Sequence, residues 1–216
     1  MSRRPGGATI RVWAAELRLL RGWPAIWTVV GSWFVLQLLF AYAFPYLSFR
    51  TGSVDLPGAE GTARYLLASE MSPSRSPDVA VQAMPLFGGA MMTVVGVLAT
   101  GSRYGWDHWK TVATQGVPRR ALIGGALAAA TTLTAALVVV VMAQSLATSL
   151  AIAHIEGLPT TPPTATALLQ RAAAGFVVLE TWLLLGCASG VLAAVPAFRR
   201  DWPSSGPWSS RICSAG

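Results

Sequence analysis

Four long stretches of this chain carry almost no charge, and that pattern limits what the chain can fold into more than any other feature. The stretches cover residues 22–49, 79–102, 121–155 and 172–198, and Glu180 is the only Asp, Glu, Lys or Arg within them. Each exceeds the roughly 20 apolar residues with which a helix crosses a hydrocarbon core of about 30 Å. Because the apolar runs are continuous rather than alternating, they favour helices over barrel strands. The sequence therefore predicts an all-α integral membrane helix bundle with four transmembrane helices.

The composition supports this interpretation and argues against a nucleic-acid-binding protein. Of the 216 residues, 53% are hydrophobic and only 12% are charged, against about 25% charged in a typical soluble domain. The net charge of +7 comes from basic residues that flank the apolar runs. In that position they set topology and contact anionic lipid head groups. We therefore expect membrane lipid as a partner and no nucleic acid.

The alternation of apolar and polar segments predicts one transmembrane domain, residues 1–198, followed by a polar tail, residues 199–216, without regular structure. The loop between the first two spans, residues 50–78, is rich in Gly, Pro and Ser and is expected to hold at most a short helix near residues 62–70. The four spans are expected at about residues 24–47, 80–101, 121–153 and 172–197.

Basic residues are distributed unequally between the two sides of this arrangement. Twelve of the 16 Lys and Arg residues lie in the amino-terminal tail, the connector between spans two and three, and the carboxyl tail. The loops on the other side hold the remaining four. The positive-inside rule then places both termini in the cytoplasm, in a multi-pass protein of the cytoplasmic (plasma) membrane.

A different pattern precedes the first span. Four apolar residues recur there at helical spacing: Ile10, Trp13, Leu17 and Leu20. Arg11 and Arg18 lie on another face of the same helix. This pattern predicts an amphipathic helix, residues 8–21, in the cytoplasmic interface of the membrane. The alternative is that the segment extends the first span into the head groups.

The fourth span contains two further features. Glu180 lies deep in the span, where a charge costs about 3 kcal/mol on insertion scales. It is either a residue of a transport pathway or subunit contact, or a neutral carboxyl that hydrogen-bonds to Ser, Thr or Gln144 of the third span. Gly186 and Gly190 form a Gly-x-x-x-Gly pattern that is typical of helices in close contact.

The connector between spans two and three, residues 101–120, reads GSRYGWDHWKTVATQGVPRR. With the long spans on either side, it resembles the connector of the permease subunit of ABC exporters of the ABC-2 type. The resemblance is carried by Tyr104-Gly105-Trp106, Trp109-Lys110-Thr111 and Thr114-Gln115-Gly116, followed by Arg119.

That resemblance implies a helical membrane subunit in which an interfacial helix precedes the first span. It also implies that the connector docks a separate ABC ATPase subunit, which binds ATP and Mg²⁺, and that a second permease copy or a related permease completes the transporter. The docking residues would be Arg103, Tyr104, Gly105, Trp106, Trp109, Lys110, Thr111, Gln115 and Gly116. The alternative is an interfacial turn anchored by its tryptophans, which needs no partner.

The chain departs from the family pattern at two places. The family commonly has an acidic residue near the beginning of the connector, where this chain has Arg103. The family usually has six spans, whereas this chain turns polar after Val195 and looks like a truncated member.

The sequence does not predict an enzyme. Its only lysine, Lys110, is not preceded by the glycines of a phosphate-binding loop. Cys187 and Cys213 form neither a disulfide framework nor a metal-binding pattern. We therefore expect no catalytic residue, metal or cofactor in this chain. The expected function is the permease subunit of an ATP-driven exporter, and the alternative is a non-transporting multi-pass scaffold or accessory protein. A lipid-modifying enzyme would need clustered Asp, His or Ser residues at the cytoplasmic ends of the spans.

Overall fold

The computed structural model describes residues 6–52, 57, 64–105 and 118–194. Within those ranges every regular element is a helix. Four helical segments are long and apolar enough to cross a membrane: Pro24–Thr51, Pro73–Thr100, Arg120–Glu156 and Ala165–Ala193. The predicted all-α bundle with four candidate membrane spans is confirmed.

We number the helices of the described residues in chain order. Their bounds are α1 Gly6–Gly22, α2 Pro24–Thr51, α3 Arg64–Glu70, α4 residues 76–105, α5 Arg119–Glu156 and α6 Ala165–Ala194. A π turn interrupts α2 at Leu39–Ala43 and α4 at Met84–Gly88. The second turn contains Pro85, which lacks the N–H that an α-helix interior requires, and a π turn is one way in which a helix accommodates this.

Two helices begin earlier than the sequence placed their spans. A 3-10 turn, Pro73–Arg75, leads into α4, whose first turn contains Pro77 and Asp78. Proline is tolerated in a first turn and an acidic residue is favoured there, so these residues start a helix rather than belonging to a loop. The helix α6 begins at Ala165, and Thr164 caps it by accepting a hydrogen bond from the Ala167 N–H at 3.3 Å.

The amino-terminal helix α1 is separate from α2. Trp23 lies between them in an extended conformation, φ −92° and ψ 110°, and Pro24 begins α2. The helix packs along α5, where a Cβ placed on Gly125 would lie 3.0 Å from the Trp13 backbone nitrogen. Trp13 also donates a hydrogen bond from Nε1 to Thr132 Oγ1 at 3.1 Å. Within the predicted apolar face, Leu20 is buried, whereas 64% of Ile10 is exposed.

Two pairs of spans run parallel to each other. Residue numbers increase in the same direction along the contact between α4 and α6, from Gly89 against Trp182 to Thr100 against Gly190. Residue numbers also increase in the same direction along α2 and α5, from the contact of Phe34 with Gln144 to that of Arg50 with Glu156. This pairing puts the 157–164 turn at the same end as the segment between α2 and α4, which we call the loop end. The opposite end, where α4 ends and α5 begins, is the connector end.

The contact between α4 and α6 is made through small residues, which we call the glycine seam: Gly89, Thr93, Gly96, Thr100, Gly186 and Gly190. A Cβ placed on Gly186 would lie 2.8 Å from the Thr93 Cα, and one on Gly96 would lie 2.7 Å from the Cys187 nitrogen. The hydroxyl groups of Thr93 and Thr100 each donate a hydrogen bond to a backbone carbonyl of α4. The Thr93 hydroxyl oxygen also lies 3.4 Å from a carbonyl oxygen of α6, and the Thr100 hydroxyl oxygen lies 3.2 Å from another. Such close contact replaces the hydrophobic driving force that helices lack in lipid.

We predict that Gly186→Ala destabilises the bundle by about 1–3 kcal/mol, because the added methyl group meets Thr93 backbone atoms that cannot move independently of α4. The measurement is the midpoint of thermal unfolding in lipid nanodiscs. Gly31→Ala is the matched control, since its Cβ would have no heavy atom within 4 Å. Equal midpoints of thermal unfolding for the two variants would contradict the close packing of α4 against α6 in the glycine seam.

Candidate functional site: polar groups inside the bundle

The structure describes only the beginning of the predicted docking connector. Arg103, Tyr104 and Gly105 belong to the last turn of α4. Trp106, Trp109, Lys110, Thr111, Gln115 and Gly116 lie outside the described residues, as does the predicted tail, residues 199–216. The site that the structure does define lies in the interior of the bundle, where polar side chains are most costly and therefore most informative.

Glu180 is paired with α5. Its Oε1 accepts a hydrogen bond from the Thr131 hydroxyl at 2.7 Å. Its Oε2 is buried and has no hydrogen-bond partner among the described residues. Of the partners expected from the sequence, a threonine of the third span is the one observed, whereas Gln144 contacts α2 instead.

Six polar side chains of α2 and α5 are buried or half-buried inside the bundle, and we call them the polar column: Trp33, Gln37, Tyr42, Gln144, Ser145 and Ser149. In the part nearer the connector end, Gln144 donates from Nε2 to the Phe34 carbonyl oxygen at 3.3 Å. Trp33 is 0% exposed and Gln37 is 2% exposed. A Cβ placed on Gly88 would lie 2.8 Å from both the Trp33 ring and the Leu179 side chain, so this part of the column also adjoins α4 and α6.

The part of the column nearer the loop end consists of hydroxyl groups. They form a hydrogen-bonded chain in which each hydroxyl donates to the next group. Ser149 donates to the Tyr42 hydroxyl at 3.2 Å. Ser145 donates to the Ser76 carbonyl oxygen at 2.7 Å, which leaves its oxygen to accept from Tyr42. The π turn Leu39–Ala43 contains Tyr42 and is therefore the element that positions it. All three hydroxyl groups are buried and satisfied, as a low-dielectric interior requires.

Two ion pairs of the described residues lie at the loop end. Glu156 accepts from Tyr46 at 2.7 Å and forms an ion pair with Arg50 at 2.8 Å. Asp78 of α4 pairs with Arg171 of α6 at 2.5 Å. Because the two arginine side chains are 58% and 53% exposed, these pairs orient the helix ends but contribute little stability.

The polar side chains inside the bundle offer hydrogen-bonding groups. Among the described residues, no group of three or more His, Cys, Asp or Glu side chains could hold a metal ion. The buried polar groups include hydroxyls, amides, the Trp33 indole and the Glu180 carboxyl, and such groups can satisfy one another by hydrogen bonding.

Sequence reasoning missed the polar column. Its signal was the presence of Gln37 and Gln144 in otherwise apolar spans, since amides at membrane depth are costly unless they are paired. The pairing itself was not readable, because the partners lie more than 100 positions apart along the chain.

These features define the chain as a helical protein with four candidate membrane spans, a small-residue contact between two of them and a polar interface between the other two. Comparison with known proteins does not assign the chain to a family, because no family model, no curated protein and no solved structure matches it.

We predict that the hydrogen bond between Thr131 and Glu180 couples α5 to α6. In a double-mutant cycle with Thr131→Val and Glu180→Leu, the expected coupling is about 0.6 kcal/mol, the usual value for polar pairs between membrane helices. The free energy of unfolding is measured by steric trapping in bicelles. Thr181→Val replaces Thr131→Val in the control cycle, because the Thr181 hydroxyl is exposed and bonds to the Val177 carbonyl of its own helix. Zero coupling in the first cycle would refute the pair.

Proposed function

We propose that this chain is the membrane-spanning permease subunit of an ATP-driven ABC exporter in the cytoplasmic membrane. A separate ATPase subunit would bind and hydrolyse ATP with Mg²⁺. A second permease copy or a related permease would complete the path for a substrate that the sequence does not identify. The observation that carries the proposal is the connector, residues 101–120, with its Tyr-Gly-Trp, Trp-Lys-Thr and Thr-Gln-Gly patterns.

The arrangement of helices at the connector end is compatible with this role. The helix α1 ends at Gly22 and is separated from the first span by the extended Trp23. It packs on α5, the span that follows the connector, so displacement of the connector would reach α1 and α5 together. The 38-residue α5 is about 57 Å long at the usual helical rise, well beyond the roughly 30 Å hydrocarbon core. Part of α5 must therefore tilt or project beyond that core.

The proposed orientation puts the connector end in the cytoplasm. It follows from the excess of Lys and Arg in the amino-terminal tail, the connector and the carboxyl tail. A docking site for a cytoplasmic ATPase would then be on the side where ATP is available.

We predict that changing both Trp106 and Trp109 to alanine reduces co-purification of the partner ATPase by tenfold or more. Buried tryptophans at protein interfaces typically contribute at least about 2 kcal/mol each, and about 1.4 kcal/mol corresponds to tenfold in affinity. The ATPase to be tested would be a P-loop protein encoded by a neighbouring gene, co-expressed with a tagged form of this chain and recovered with it from mild detergent.

Trp27→Ala is the control for loss of a tryptophan, because Trp27 is 58% exposed and lies on the first span rather than on the connector. Recovery should remain at the wild-type level in this variant. If the Trp106 and Trp109 variant also retains full recovery, the connector is not the docking element and the proposal loses its main support.

A non-transporting scaffold remains the second candidate function. The observation that favours it is the bond from Thr131 to Glu180, which gives the deepest ionisable side chain a structural partner. Reconstituted vesicles distinguish the two functions, since an exporter stimulates the ATPase activity of its partner subunit when a substrate is added and a scaffold does not.

A further inference from the structure

We propose that the outward face of α1 binds the head groups of acidic phospholipids through Arg11, Arg18 and Arg21. The proposal concerns a surface of the bundle and does not depend on the exporter assignment.

The apolar face of α1 is covered by the bundle rather than by lipid. Leu20 is 5% exposed, and Trp13 and Leu17 pack against the same hydrophobic core. A Cβ placed on Gly125 of α5 would lie 2.5 Å from Val12 Cγ1, so the two helices are in close contact. An amphipathic helix in a membrane interface normally inserts its apolar face into lipid. Because α5 covers that face in this chain, attachment of α1 to the lipid surface must come from its other residues.

The face of α1 that points away from the bundle carries its arginines. Arg11, Arg18 and Arg21 are exposed, and they lie within about 80° of one another around the helix axis. Glu16, the only acidic residue of α1, is half-buried and lies roughly 140–160° away from each of them. The outward face therefore carries three positive charges and no negative charge.

The guanidinium groups of this face have hydrogen-bonding capacity beyond the contacts within their own helix. The Nε of Arg11 donates to the Gly7 carbonyl oxygen at 3.1 Å, and the Nε of Arg18 donates to that of Ala14 at 3.2 Å. Each of these bonds uses one of the five N–H groups of an arginine. A guanidinium group matches phosphate in charge and can bind two of its oxygen atoms at once. The face is therefore suited to a phosphate-bearing partner.

The surroundings of the arginines favour a phospholipid over an acidic protein as that partner. Ile10 and Leu19, at the two edges of the face, are 64% and 54% exposed. Trp27 is 58% exposed, and its Nε1 donates to the Arg21 carbonyl oxygen at 2.7 Å, which holds the ring beside the end of α1. Arginines with exposed apolar neighbours fit the boundary between head groups and acyl chains, where Trp is also enriched. The first candidate span begins at Pro24, directly after this face, so the face lies where head groups are expected.

Fluorescence quenching by spin-labelled lipids tests the proposal with the full chain in phosphatidylcholine vesicles. The fluorophore is bimane, attached through Ala15→Cys at an exposed position of the same face, in a chain with Cys187→Ala and Cys213→Ala. The quencher is a nitroxide near the head group of phosphatidylglycerol or of phosphatidylcholine, added at equal mole fraction. We expect phosphatidylglycerol to be enriched about fivefold around the fluorophore at low salt, the equivalent of about 1 kcal/mol for one basic residue at an anionic surface. The enrichment should be lost in about 1 M NaCl, where the Debye length is about 3 Å.

The triple variant Arg11→Gln, Arg18→Gln and Arg21→Gln should abolish the enrichment. The control Arg75→Gln, which removes an exposed arginine at the loop end, should leave it unchanged. If the triple variant folds poorly, Arg18→Gln alone should lower the enrichment, whereas Arg18→Lys, which keeps the charge, should preserve it.

Equal quenching by the two lipids in the labelled parent chain would overturn the proposal without any variant. Enrichment of phosphatidylglycerol that persists in the triple variant would also overturn it. If the triple variant keeps its lipid preference but no longer recovers the partner ATPase, the face binds an acidic protein surface instead, and the proposal fails.

Discussion

The close contact between α4 and α6 is the interaction on which the rest of the described bundle depends. Gly96, Gly186 and Gly190 bring the two backbones to a separation at which even a methyl group would meet backbone atoms or the Thr100 hydroxyl. Lipid tails are as apolar as the helices, so no hydrophobic driving force brings apolar helices together in a membrane. Their association therefore requires close packing of this kind. The seam also fixes the position of Leu179, which with Gly88 forms the wall against the Trp33 ring of α2.

Two of the interfaces in the bundle are held together by different kinds of interaction. The glycine seam between α4 and α6 relies on close packing and on two threonines, whereas α2 and α5 are joined by amides, hydroxyls and, at the loop end, ions. A packed seam has one well-defined geometry, because backbone atoms in contact cannot slide freely. Hydrogen bonds between side chains can be exchanged for others at lower cost. The interface between α2 and α5 is therefore the more adaptable of the two.

The sequence predicted the number and type of the long helices because charge-free runs of this length have few other solutions in a membrane. It placed the start of α4 too late because Pro77 and Asp78 are typical of loops. Asp78 pairs with Arg171 in the structure, and that contact joins residues more than 90 positions apart. Gly186 and Gly190 stood out as a motif, but their counterparts in α4 are spaced seven apart and gave no comparable signal. The polar column was not predicted, since its pairing joins residues of α2 and α5 that lie more than 100 positions apart along the chain.

The central claim is that the chain crosses the membrane four times, with the two loops on one side and the connector on the other. Single cysteines at Ser74, Thr161 and Pro118, in a chain with Cys187→Ala and Cys213→Ala, test it directly, since all three positions are exposed. A membrane-impermeant maleimide applied to intact cells should label the cysteines at 74 and 161, and should label the one at 118 only after permeabilisation. Labelling of the cysteine at 118 in intact cells, or opposite results for 74 and 161, would contradict the account.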